Sequence, residues 1–323
     1  MLLSQGRLID YIRVSVTDRC NLRCKYCMPE DLPFIPHDRI LRYEEILRIC
    51  GIFAKLGVRI VKVTGGEPLT RKGCVEFIRD LKMIPGIEHV TLTTNGVLLE
   101  PYIDDLVVLG LDCVNISLDS LDPGIYERIT GRDEFARVWS SLHKALDVGL
   151  RVKINNVPMR GVNDGEILAF AKLAETLPLD IRFIEQMPSG DDIHYHRVPA
   201  EEVLDMLSQA YPDLTADAMP HGFGPARYFK SAGLKGAIGL IDAISNHFCA
   251  GCNRLRLTSE GFLKLCLYYD DGLDLRGLVR GGASDDEIEA AIIRAVAQKP
   301  ERHAFGSDPD GSGGIGTMSR IGG

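Results

Sequence analysis

One repeat limits the fold more than any other feature of the chain. Short β-branched runs stand at 11–17, 59–64, 89–94, 113–119, 151–157 and 180–185. Between and after them come stretches with helical spacing, such as 43–56, where Ile46, Ile49, Cys50 and Phe53 share a face. Others lie at 73–83, 135–148, 164–176 and 200–210. Strands alternating with helices at roughly 30-residue intervals predict right-handed crossovers and a parallel sheet. Six such units are two short of a closed eight-stranded barrel, and periodicity alone leaves a doubly wound open sheet possible.

The strand ends favour the barrel. Strand one runs into Thr17-Asp18-Arg19-Cys20, strand two into Gly65-Gly66-Glu67-Pro68, and strand three into Thr94-Asn95-Gly96. The later three end at Ser117-Leu118-Asp119, Asn155-Asn156 and Glu185-Gln186-Met187. Loops are polar in any fold, but a cysteine triad on the first of six such ends points to one shared site at the top of a barrel. Near residue 212 the repeat stops at Pro212, Pro220, Gly222, Gly224 and Pro225. The expectation is an α/β chain: an incomplete (β/α)6 TIM-type barrel over 1–212, with a carboxyl-terminal segment, 213–323, capping its open side. That segment shows strand-like runs at 254–258 and 262–266 and a late helix at 285–298. From His303 the tail has seven glycines in 21 residues, a composition expected to hold no secondary structure of its own.

Composition removes several function classes. Of 323 residues, 37 are Lys or Arg and 45 Asp or Glu, a net charge of −8. Such a chain is a poor general binder of nucleic acid, so any polyanion it holds must sit in a local basic pocket. No run of 18 apolar residues and no basic-then-apolar start is present, so no membrane span is expected and a cytoplasmic location is. Nine cysteines are present. Cys50, Cys74 and Cys113 lie alone in apolar surroundings and are assigned to packing. The other six form two sets.

The first set, Cys20, Cys24 and Cys27, reads C-x3-C-x2-C directly after a strand. Structural zinc wants four ligands, and the next candidate, His37, lies ten residues on. Three thiolates with none to spare suit a four-iron cluster with one iron left open. With Tyr26 before the last cysteine and the Gly65-Gly66-Glu67-Pro68 turn after strand two, the chain resembles the radical S-adenosylmethionine (SAM) enzymes.

The second set, Cys249, Cys252 and Cys266, reads C-x2-C-x13-C. On spacing alone a zinc ribbon with His247 as fourth ligand is the preferred reading. The next residues, Asn253-Arg254-Leu255-Arg256-Leu257, send Arg254 and Arg256 to one face of a strand. Paired guanidinium groups beside a metal centre suit an anionic ligand, although two arginines can also simply solvate a strand face.

Both sets, the CNRLRL run and the closing MSRIGG together resemble one family, the GTP 3′,8-cyclases of molybdenum cofactor biosynthesis. The resemblance implies conversion of GTP to (8S)-3′,8-cyclo-7,8-dihydroguanosine 5′-triphosphate, with two 4Fe-4S clusters and SAM as cofactors. It implies that Cys20, Cys24 and Cys27 hold the SAM cluster, and that Tyr26, Gly66, Ser117 and Met187 touch SAM. Cys249, Cys252 and Cys266 would hold a second cluster that binds guanine. Arg13, Lys62, Thr93, Lys153, Arg254, Leu255 and Arg256 would contact the nucleotide, with Arg13, Lys62 and Lys153 expected near one barrel end. Arg13, Arg254, Arg256 and the terminal Gly322 and Gly323 would support the radical step, with Ile321 anchoring the tail. Two positions depart from the family pattern: Lys62 where an arginine is expected, and Leu265 where a proline is. The implied partners are a flavodoxin- or ferredoxin-type electron donor and the next pathway enzyme, cyclic pyranopterin monophosphate synthase; a homodimer is also expected. Two other readings compete: a non-catalytic protein with one iron–sulfur centre and one zinc ribbon, and a radical SAM enzyme acting on a peptide.

Overall fold

A computed structural model describes residues 1–28, 32–187, 196–246, 248–303 and 318–321. The six expected strands are β1 (Tyr11–Ser15), β2 (Ile60–Thr64), β3 (His89–Thr94), β4 (Cys113–Ser117), β5 (Val152–Asn156) and β6 (Asp180–Ile184). The carboxyl-terminal segment supplies β7 (Thr215–Ala216), β8 (Arg227–Lys230), β9 (Ile238–Ile241), β10 (Arg254–Leu257), β11 (Phe262–Lys264) and β12 (Gly272–Asp274). All join one sheet in the order β7-β8-β9-β6-β5-β4-β3-β2-β1-β10-β11-β12.

β1 to β6 pair in parallel, β9 adds parallel to β6, and β10 adds parallel to β1. The late segment therefore places one parallel strand on each edge of the six-unit sheet. The link from β9 to β10 thus joins strands on opposite edges of the six-unit sheet. Among the described residues only a single 3-10 turn, Phe248–Gly251, and no α-helix separates these two strands, which is why they fell outside the strand–helix repeat. Gly236 makes the β9 edge possible: a Cβ there would stand 1.7 Å from the Leu179 carbonyl oxygen, so only glycine lets the chain come so close. β1 and β6 are five places apart, roughly 24 Å in a flat sheet. Tyr11 and Arg182 nevertheless line one cavity, so the sheet is curled into an incomplete barrel.

Ten α-helices occur among the described residues: α1 (Tyr43–Lys55), α2 (Cys74–Lys82), α3 (Ile103–Val108), α4 (Pro123–Thr130), α5 (Phe135–Asp147), α6 (Ile167–Thr176), α7 (Ala200–Ala210), α8 (Leu275–Arg280), α9 (Asp285–Ala297) and α10 (Met318–Ile321). The core lies between the helices and the outer face of the sheet. Val61, Val63, Val90, Leu92, Val114, Ile116, Ile154 and Ile181 are all fully buried in it, together with Ile46, Ile49 and Phe53 of α1. The alternate positions of the same strands (Lys62, Thr91, Asn115, Lys153 and Arg182) face the interior cavity. A TIM barrel usually fills that space with branched apolar side chains. Here it is polar, so the interior is built as a chamber for a ligand.

α8 and α9 dock the late segment on α1 through ion pairs Arg280–Glu45 at 2.8 Å and Arg48–Asp285 at 2.8 Å. Ser284 and Glu287 form a capping box that starts α9. The tail departs from expectation. Met318–Ile321 is a helical turn, Ile321 is buried against Tyr268 with Met187 beside it, and Arg320 donates to the Pro33 carbonyl at 2.8 Å. Its apolar anchor outweighs the glycine-rich approach.

Candidate active site

The loop after β1 carries the first cysteine set. Cys27 N and Met28 N both donate to the Cys24 carbonyl at 2.9 Å, which makes the C-x2-C half a tight turn. Arg23 N and Lys25 N donate to the Thr130 and Ile129 carbonyls at 2.8 and 3.1 Å, tying the loop to the end of α4. The Arg23 guanidinium donates to the Cys20 carbonyl at 2.7 Å. Gly66 packs against the loop so closely that a Cβ would lie 2.4 Å from the Arg19 carbonyl oxygen. That contact is the physical reason for the second glycine of the turn.

Three more residues hold this end, and the motif reading did not single them out as site residues. Asn95 Nδ2 donates to Asn21 Oδ1 at 2.8 Å and lies 3.6 Å from Cys20 Sγ. The fully buried Glu67 carboxylate accepts from Asn95 N, Thr94 Oγ1 and Leu69 N at 2.6, 2.8 and 3.0 Å, joining the ends of β2 and β3. Burial pushes its pKa up to about 7 despite those bonds. Asp119 accepts the Tyr26 hydroxyl at 2.7 Å and Val157 N at 2.9 Å, and burial raises it to about 6. Polar residues at strand ends were the only available signal.

The donor set fits an electropositive centre. None of the three is in a disulfide among the described residues, and burial, followed by Cys27, Asp119 and Cys20, pushes Cys24 well above the ordinary thiol value. As thiolates they need the positive charge that bound iron would bring. Tyr26, Gly66, Ser117 and Met187 all stand at the carboxyl ends of strands or in the loop beyond. The buried Asn155 Oδ1 and Gln186 Oε1, at the ends of β5 and β6, accept no hydrogen bond among the described residues, which suits a donor-bearing ligand there.

Below this end, the interior gathers six cations. Arg256, Arg13 and Lys62 are in register across β10, β1 and β2, with Arg254 opposite Tyr11. Lys153 faces in from β5 and Arg182 from β6. Arg13 and Lys62 are the middle residues of their strands, not near one barrel end as expected. The reason is the two-residue alternation, which turns mid-strand charges inward. Arg182 belongs with them and was missed, although the alternation in Asp-Ile-Arg-Phe-Ile (180–184) carries the same signal. Its guanidinium donates to Asn115 Oδ1.

Burial lowers Lys62 well below the ordinary lysine value, with Arg182, Arg13 and Lys153 adding to the shift. Burial also lowers Arg13 to about 10, with Arg254 and Arg182 in the same direction, and lowers Arg256 strongly, with Arg13 and Arg254 contributing. Asp180 offsets one charge through its 2.9 Å pair with Lys153. Lys153 also donates to the Tyr228 hydroxyl at 2.8 Å and to the His221 carbonyl, part of a loop closing the amino-terminal mouth. Thr93 lies on β3 opposite Asn115. The Leu255 side chain is buried in the outer core, away from the charges.

The second cysteine set lies at the other end. β10 runs parallel to β1, so Cys252, two residues before it, stands at the amino ends of the strands. Cys266 follows β11, which is antiparallel to β10, and returns to the same end. Cys252 N donates to the Cys249 carbonyl at 3.0 Å. Arg254 lies over the Phe248 ring at 4.8 Å and reaches Cys252 Sγ at 3.9 Å. Burial pushes the Cys252 thiol up, but Arg254 and Lys299 outweigh it and hold it near 7. Among the described residues, no three Cys, His, Asp or Glu side chains converge as ligands of one ion. His247, the candidate fourth zinc ligand, lies outside the described residues, as do Gly322 and Gly323.

Residues 14–174 match the radical SAM superfamily, and residues 179–305 match the family described as Molybdenum Cofactor Synthesis C. The GTP 3′,8-cyclase of Desulforamulus reducens is 44% identical over 328 residues, covering 100% of both chains. That of Moorella thermoacetica is 46% identical over 306 residues, 92% of this chain and 93% of the relative. Among solved structures, Streptococcus suis SuiB superposes with a TM-score of 0.62 at 14% identity, over 91% of this chain and 66% of its own. Native anSMEcpe with bound AdoMet gives 0.61 at 14% identity, over 91% and 82%. The likeness to these two structures concerns the fold.

Proposed function

The chain belongs to the GTP 3′,8-cyclase family of radical SAM enzymes, and from that premise we propose how its own residues divide the work. The reaction converts GTP to 3′,8-cyclo-7,8-dihydro-GTP in molybdenum cofactor biosynthesis, with SAM and 4Fe-4S clusters as cofactors. When bound, the first cluster and SAM supply the one-electron chemistry that removes a hydrogen atom from the substrate.

Cys20, Cys24 and Cys27 hold that cluster, and Tyr26, Gly66, Ser117 and Met187 line the SAM site. Tyr26 is fixed there by Asp119, while Asn155 and Gln186 offer acceptors to donor groups of SAM. Cys249, Cys252 and Cys266 hold the second cluster at the opposite end of the strands. Between the two, Arg13, Lys62, Lys153, Arg182, Arg254 and Arg256 grip the triphosphate and thereby fix the ribose, so that proximity and orientation carry much of the acceleration. Thr93 and the backbone at Leu255 complete the nucleotide contacts. The terminal Gly322 and Gly323 support the radical step, a role consistent with the burial of Ile321 against Tyr268 between Met187 and Cys266. In functional terms residues 1–212 form the SAM half and 213–323 the second-cluster half.

One observation carries this reading: six cations gather in the interior from neighbouring strands, Lys153 and Arg182 buried, with burial and their like-charged neighbours lowering Arg13, Lys62 and Arg256. Neither a sensor with a zinc ribbon nor a peptide-modifying enzyme needs such a chamber. The test is anaerobic reconstitution followed by iron counting and nucleotide binding. About eight irons per chain are expected. GTP should bind at least about 100-fold more tightly than guanosine, since each charge-assisted hydrogen bond contributes about 1.5–3 kcal/mol. Four irons with one zinc, or equal binding of GTP and guanosine, would refute it.

The electron donor is of flavodoxin or ferredoxin type, and the product passes to cyclic pyranopterin monophosphate synthase. The enzyme works as a homodimer in the cytoplasm. No helix among the described residues is long and apolar enough to cross a membrane.

A further inference from the structure

The stretch 299–303, just after α9, belongs to none of the motifs above, yet it contacts every limb of the second cysteine set. Lys299 is only 2% exposed. Its ammonium group donates to the Arg254 carbonyl at 3.0 Å and to the Leu265 carbonyl. Those oxygens lie two residues after Cys252 and one before Cys266, so a single side chain bridges the two limbs. Arg7, 8% exposed, works on the third. It donates to the Cys249 carbonyl at 3.0 Å, while its other bonds run to Pro300 O at 2.9 Å, Ser4 O at 3.2 Å, Glu301 O at 3.3 Å and Lys299 O at 3.4 Å. The backbone N–H of His303 donates to the Cys249 thiol itself.

We propose that Lys299, with Arg7 and the 299–303 backbone, is the positioning and charge-setting brace of the second cluster. The proposal rests on the reading that Cys249, Cys252 and Cys266 hold that cluster. Lys299 fixes the separation of the Cys252 and Cys266 limbs. Its ammonium lies within electrostatic reach of Cys252 and Cys266. A positive charge there stabilises the more negative, reduced form of the cluster and raises its potential. Arg7 adds a second buried cation and, through its fan of carbonyl acceptors, ties the chain's beginning to its end.

The test uses the full-length chain with Cys20, Cys24 and Cys27 all replaced by serine, so that only the second site can load. Iron retention against a chelator and the midpoint potential are measured anaerobically for this parent, for Lys299→Met and for Lys299→Arg. Loss of such a supporting contact typically weakens a metal site 10- to 100-fold. Lys299→Met is expected to lose iron that much more readily and to shift to lower potential. Lys299→Arg should keep the parent's potential, because the charge remains. Arg7→Lys, made in the otherwise unaltered chain, should loosen the second cluster only. SAM cleavage at the first then shows that the protein is folded. Parent-like retention and potential in Lys299→Met would overturn the proposal. A parent that takes up one zinc in place of about four irons would instead overturn the two-cluster reading beneath it.

Discussion

Replacing Lys62 by methionine should weaken substrate binding and stabilise the empty protein. Lys62 makes no hydrogen bond or ion pair among the described residues, so methionine, of similar length, orphans no partner. Arg182, Arg13 and Lys153 all act against its charge. Two like charges on the order of 8 Å apart repel by about 2 kcal/mol at an effective dielectric of 20. Removing a lone buried charge also removes its desolvation cost, on the order of several kcal/mol per ion. At about 2–4 °C per kcal/mol, the substrate-free, cluster-free variant should melt several degrees above the wild type. The gain also has a pH signature. A lysine whose folded pKa is depressed carries its full penalty below that folded value. The penalty fades as pH rises towards the unfolded value of about 10.4. The difference between variant and wild type should therefore be large at neutral pH and vanish towards pH 10.4. GTP, by contrast, loses a charge-assisted contact of about 1.5–3 kcal/mol, or about 10- to 150-fold in affinity. Anaerobic equilibrium dialysis and thermal melts read both quantities. A variant that melts lower and binds GTP as tightly as wild type would refute the reasoning.

Gly66→Ala would drive a Cβ into the Arg19 carbonyl, 2.4 Å away, at about 1–3 kcal/mol of overpacking; SAM affinity should fall at least about tenfold, as read by dialysis, while GTP binding holds. Arg280 holds Glu45 down to about 2, against an ordinary value near 4.5, which is worth up to about 3 kcal/mol. That stability is present above pH 4.5 and lost as pH falls from there towards 2, so Glu45→Gln should melt lower at pH 7 and show a flatter acid limb. Deleting Gly322 and Gly323 should spare both clusters and GTP affinity but greatly reduce cyclic product, and full turnover by the truncated chain would return the tail to a passive role.

How much of this was legible in the sequence depends on whether the signal is local. The repeat located six strands within two residues at each end, because β-branched runs buried by helices carry their own pattern, as at His89–Thr94. Both cysteine sets were legible for the same reason. β9 was not, since Ile238–Ile241 is only four residues long and joins the barrel through the close approach at Gly236, a tertiary fact. Arg182 was hidden by expecting the site at strand ends when the strand interiors already alternated apolar and charged. Glu67, Asp119 and Lys299 act through partners remote in sequence, namely Asn95, Tyr26 and the Arg254 and Leu265 carbonyls. Spacing carries no such information.

The central claim is that the cation chamber holds GTP with its ribose exposed to the chemistry of the first cluster. It is tested most directly by incubating the anaerobically reconstituted protein with SAM, a reductant and GTP deuterated at C3′. Mass spectrometry then follows the label. The account predicts that deuterium appears in 5′-deoxyadenosine and that GTP is converted to a cyclised product. Unlabelled 5′-deoxyadenosine, or SAM cleavage with GTP left unchanged, would contradict it.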